Sequence, residues 1–112
     1  MLGLFNKKNT AKIFSITHIG DRQENQDSFM HSRADNSECY LVADGMGGHS
    51  GGRLASTKFC EAIKNLFPHY AHQPNKDEAI NNLINDARQK MCELISAEDS
   101  NLSPHTTAVL AI

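Results

Sequence analysis

Short apolar runs and helical stripes alternate along the chain, with one interruption so rich in glycine that neither period crosses it. Residues 12–17 (KIFSIT) alternate as a strand does, and Ile19-Gly20-Asp21-Arg22 then breaks the pattern into a loop. Residues 28–31 resume an extended pattern, 33–37 (RADNS) form a turn cluster, and 39–43 (CYLVA) are the short apolar run of a buried strand. The first third therefore reads as a β-meander. Residues 44–52 (DGMGGHSGG) hold five glycines in nine positions, too many for a regular element and suited to a loop where backbone comes close to something else.

Beyond that loop the period changes. Ala55, Phe59, Ala62, Ile63, Leu66 and Phe67 recur at spacings of three and four, one apolar stripe on a helix that Pro68 is expected to end. A second helix is expected after Asn75, a good cap, with Glu78 three places on completing a capping-box-like pair. Its stripe is Ile80, Leu83, Ile84, Ala87, Met91, Leu94 and Ile95. A polar stretch, 98–104, leads to 106–112 (TTAVLAI), β-branched and apolar like a core strand. The last residue falls inside that strand with no turn or polar exit, so the sequence is expected to be a cut one.

Composition changes this picture little. The 112 residues suit one small α+β domain with a modest core, and a formal charge of -2 offers no global attraction to nucleic acid or anionic lipid. Cys39, Cys60 and Cys92 are scattered without a C-x-x-C pair, which fits reduced structural thiols and a cytoplasmic protein better than a zinc site or a disulfide framework. The start, MLGLFNKKNTAK, has its apolar residues ahead of its lysines and too few of them for a signal peptide or a span, so no membrane association is expected.

Two clusters could carry chemistry. Asp44 stands at the mouth of the apolar run and is followed by Gly45-Met46-Gly47-Gly48-His49. A carboxylate there, with the Gly45 carbonyl, offers the oxygen donors that Mg²⁺ or Mn²⁺ take, although an isolated strand-Asp-Gly more often caps a helix or opens a turn. Arg22-Gln23-Glu24-Asn25-Gln26-Asp27 gathers a guanidinium that matches phosphate and carboxylates that suit a metal, although alone it reads as a solvated loop. The histidines lack H-E-x-x-H spacing, Ser50 and Ser56 lack a G-x-S-x-G elbow, and the glycines fit neither a dinucleotide turn nor a P-loop.

Taken together, Gly20-x-Arg22-x-x-Asn25-Gln26-Asp27 and Val42-Ala43-Asp44-Gly45-Met46-Gly47-Gly48-His49 resemble, in order, the first two motifs of bacterial protein phosphatases of the 2C type. Thr106-Thr107-Ala108-Val109 is similar to the threonine-bearing strand that follows the family's two helices. The resemblance implies the N-terminal part of an α/β/β/α sandwich, incomplete here, with 1–11 a polar extension and 12–112 the truncated start of the phosphatase domain. It implies that Asp44 bridges two Mn²⁺ or Mg²⁺ ions, that the Gly45 carbonyl binds one, that Arg22 holds the substrate phosphate, and that Asp27 supports the metal or its water. The implied reaction is hydrolysis of phosphoserine or phosphothreonine in a protein substrate by a water or hydroxide between the ions. The full-length protein would be monomeric.

Departures limit that expectation. Gln26 stands where some relatives carry glutamate, Arg53 where an acid is common, and His105 where a small residue often precedes the threonine pair. The family's remaining aspartates come from Asp-Gly and Gly-Asp-Asn motifs that would lie beyond Ile112, while Asp77, Asp86 and Asp99 read as solvated helix residues. The 112 residues alone are therefore expected to bind metal weakly and hydrolyse little. The competing reading is a non-catalytic remnant acting as an interaction module.

Overall fold

The structure is a computed structural model that describes residues 13–20, 25–46, 50–99 and 104–112. Its elements run β1 (Asp27–Ala34), β2 (Ser37–Gly45), α1 (Ser50–Tyr70), α2 (Lys76–Glu98) and β3 (Thr106–Ala111). β1 and β2 form an antiparallel hairpin closed by Asp35 and Asn36, where Asp35 takes φ 52, a left-handed conformation that aspartate tolerates better than most residues. β3 pairs antiparallel with the other edge of β2, giving the order β1-β2-β3. The α+β class is that expected, and among the described residues one three-stranded antiparallel sheet with a helix pair stands for part of the α/β/β/α sandwich that the resemblance implies.

Alternation along the strands gives the sheet two unlike faces. Met30, Cys39, Leu41 and Ala43 point into the core, where α1 covers them with Ala55, Phe59, Cys60 and Ile63. α2 packs along α1 through Leu83, Ala87, Met91 and Ile95, a stripe at spacings of four. The opposite face bears Phe29, Val42 and Val109, aligned in one row across all three strands and 46%, 58% and 75% exposed.

The helix boundaries follow from capping with one exception. Asn75 caps α2, its side chain accepting from the Glu78 N–H at 3.1 Å, and the Asp99 N–H closes the other end on the Ile95 carbonyl at 2.8 Å. Pro68, by contrast, does not end α1, which continues to Tyr70. Proline so near the end forfeits one helical hydrogen bond, and the Ala71 N–H still reaches the Phe67 carbonyl at 3.0 Å to close the last turn. Ala79, rather than Ile80, is the buried residue of the first turn of α2.

The strand expected at 12–17 is not formed over 13–17, which run without regular structure. Alternation makes a segment suitable for a sheet, but a strand exists only when a neighbour satisfies its backbone, and the described residues provide none there. Phe14 and Ile16 are 90% and 94% exposed. Among the described residues, a hydrogen bond from the Asn25 side chain to Thr17 Oγ1 at 2.8 Å ties the segment.

The end of the hairpin nearest its turn is held by polar groups. Glu38 accepts from Tyr40 Oη at 2.6 Å and pairs with Arg33, while His31 stacks on Tyr40 with ring centroids 4.9 Å apart. The Tyr40 hydrogen bond, aided by Arg33, holds the Glu38 carboxyl below its ordinary range, and Glu38 in turn raises the Tyr40 phenol.

Two expected outcomes follow. Ile63, fully buried in the core on α1, should cost about 2 to 5 kcal/mol on replacement by alanine, measured by urea unfolding. A carboxyl with a lowered folded pKa stabilises above its unfolded pKa and loses that contribution as pH falls through the folded value. Wild-type protein should accordingly lose more Tm than Glu38→Gln when acidified below about 4.3, and equal losses in thermal melts would refute the linkage.

Candidate metal and phosphate site

The register of the hairpin sets Asp27 directly opposite Asp44, and β3 sets Thr107 opposite Asp44 on its other side. Residues opposite one another project from the same face, so both carboxylates lie on the exposed face of the sheet, at the end far from the hairpin turn. Thr107 Oγ1 donates to the main-chain carbonyl of Asp44 at 3.2 Å. Like charges facing each other across a ladder are unfavourable, and a bound cation would offset that repulsion.

Behind this pair the backbone is packed unusually closely. A Cβ on Gly45 would overlap the Gly52 carbonyl and come within 2.9 Å of the Gly52 Cα, and a Cβ on Gly52 would come within 2.9 Å of the Gln26 carboxamide carbon and the Met46 carbonyl oxygen. Both positions therefore require glycine, because the first turn of α1 lies against the end of β2. The same crossing is tied by hydrogen bonds. The Gln26 carbonyl accepts from the Gly45 N–H at 2.9 Å and from Ser56 Oγ at 2.7 Å. The Asp27 N–H donates to Asn25 Oδ1 at 3.0 Å, and the Met46 N–H to the His105 carbonyl at 3.0 Å.

Of the residues singled out from the sequence, Asp27, Asp44 and Gly45 come together at one end of the sheet. Arg22 lies outside the described residues, as do Asp21, Glu24, Gly47, Gly48 and His49. Gln26 turns its carboxamide against Gly52 at the start of α1. Asp77, Asp86 and Asp99 are exposed on α2 or at its end, and Asp86 accepts a hydrogen bond from Tyr70. Cys39 and Cys60 are buried free thiols whose pKa values burial pushes up to about 11, which leaves them without nucleophilic thiolate at neutral pH.

The donors assembled here are hard oxygens, suited to Mg²⁺ or Mn²⁺ rather than zinc. Asp27 and Asp44 are oxygen donors of the type such an ion takes, and the described residues bring together no group of three or more His, Cys, Asp or Glu side chains around one point. Ser56 is the residue that sequence reasoning missed. It lacks a nucleophile elbow, yet it falls on the buried stripe between Gly52 and Phe59, and a hydroxyl on an apolar stripe is the available signal of a structural bond.

No curated protein matches the chain. The family model described as Protein phosphatase 2C matches residues 16–112, a stretch that includes the Asp27–Asp44 pair, the glycine crossing, both helices and all three strands. The chain belongs to the protein phosphatase 2C family.

Proposed function

We propose that this chain carries the first part of the catalytic centre of a metal-dependent protein serine/threonine phosphatase, with Asp44, the Gly45 carbonyl and Asp27 holding Mn²⁺ or Mg²⁺ and Arg22 binding the substrate phosphate. The observation that carries the reading is the placement of Asp27 opposite Asp44 on an exposed face, immediately before a glycine whose backbone is fixed against α1. Bound divalent ions would supply an activated water and stabilise charge on the transferred phosphoryl group. The protein's own part is to hold two carboxylates at a set spacing and to offer Arg22, a planar fork of donors, to the phosphate oxygens. Thr107, bonded to the Asp44 main chain, fixes the third strand beside them.

Among the described residues two acids meet at this site, which leaves most of a coordination sphere to other donors, so the chain is expected to bind metal weakly and turn over little phosphopeptide. The same observation favours a second reading, in which the chain serves as a non-catalytic remnant that engages a partner.

A single set of measurements separates these. Mn²⁺ at about ten times its dissociation constant should raise Tm by roughly 5 to 10 °C, and Asp44→Asn should abolish the rise. No rise at any Mn²⁺ concentration would sink the metal-site reading and leave the remnant. Rapid turnover of a phosphothreonine peptide, lost on chelation and in Asp44→Asn, would instead show that the two acids suffice.

A further inference from the structure

Ser56 is fully buried, and it is the one buried side chain with a polar or charged group among the described residues. A buried hydroxyl without a partner is costly, so its bonds define why it is there. Its Oγ lies 2.7 Å from the Gln26 carbonyl, 3.1 Å from the Arg53 carbonyl and 3.1 Å from Ser28 Oγ. The hydroxyl has one proton, and the shortest of these distances is the usual one for O–H···O, so the proton goes to Gln26. Ser28, itself 3.3 Å from Thr57 Oγ1, can then donate to Ser56.

The Gln26 carbonyl and the Asp27 N–H belong to the same peptide unit. Among the described residues, bonds from three directions hold that unit: Ser56 Oγ from α1, the Gly45 N–H from β2 and Asn25 Oδ1 from the loop before β1. The clamped unit is the one from which the Asp27 side chain departs. Without it, the strand end that carries Asp27 opposite Asp44 would lose its tie to α1.

We infer that Ser56 is a positioning residue, which fixes the Gln26–Asp27 peptide and so presets the spacing of Asp27 and Asp44 for a divalent cation. The cation part rests on the metal-site reading above; the clamp itself does not. The hydroxyl touches neither carboxylate, and it acts through a main-chain carbonyl that it shares with Gly45.

The test compares Ser56→Ala with Ile63→Val, a core change remote from the clamp and of similar general cost. Amide hydrogen exchange followed by NMR reads the clamp, and Mn²⁺ titration calorimetry reads the site. In Ser56→Ala the Gly45 and Asp27 amides should exchange about fivefold faster than in Ile63→Val, and Mn²⁺ should bind about five- to tenfold more weakly, roughly 1 to 1.4 kcal/mol. Exchange at those amides no faster than in Ile63→Val overturns the proposal, as does unchanged Mn²⁺ affinity. If wild-type protein binds no Mn²⁺, the metal-site reading fails, and exchange alone then decides whether Ser56 holds the peptide. Should Ser56→Ala not fold, Ser56→Cys fills nearly the same space with a weaker donor and should shift both readouts in the same direction by less.

Discussion

The approach of two backbones at Gly45 and Gly52, closer than any side chain allows, is the constraint on which the rest of the structure depends. It brings the first turn of α1 onto the end of β2, and everything at that end of the sheet is then within reach of the helix. Ser56, one turn further along α1, meets the Gln26 carbonyl because of it. The core stripe of α1 falls over Met30, Leu41 and Ala43 for the same reason. A methyl group at either glycine would have to push helix and strand apart, and the exposed carboxylates would lose the rigid floor on which they stand.

The sheet divides labour between its faces. One face is apolar and covered by α1, and it contributes the stability. The other is mixed: acids at one end, the Phe29, Val42 and Val109 row across the middle, and the Arg33, Glu38, Tyr40 and His31 cluster at the end near the turn. Strand periodicity makes this separation unavoidable, since neighbours along a strand alternate sides. Placing Asp44 between Ala43 and Gly45 thus puts a charged group at the surface while the residues on either side of it are buried. Chemistry and core are interleaved in sequence and separated in space.

Elements whose cause is local were legible in the sequence. The α2 cap at Asn75 is set by a side chain three residues from its partner, and the hairpin turn by the Asp35-Asn36 pair. The stripe of α1 was visible from spacing alone, whereas a shared site for Asp27, Asp44 and Gly45 was implied only by the resemblance to a family. What was not legible depended on partners distant in the chain. Residues 13–17 alternate correctly but meet no neighbouring strand among the described residues, and Pro68 is tolerated because Ala71 closes the turn after it. Nothing in the sequence around Ser56, which lacks a nucleophile elbow, points to a carbonyl thirty residues earlier as its partner, and that bond emerges from the glycine crossing.

The order of the sheet also sets an order of assembly. The β1–β2 hairpin and the α1–α2 pair each join segments adjacent in sequence, contacts that cost little chain entropy and form early. β3 is different: Thr107 meets Asp44 across a separation of 63 residues, and that closure is favourable only after the helices between them have shortened the gap. The strand flanking the acidic pair is therefore expected to dock last and to leave first. A nascent or partly unfolded chain would keep the hairpin and lose the third strand, so the Asp27–Asp44 pair would outlast its neighbour Thr107.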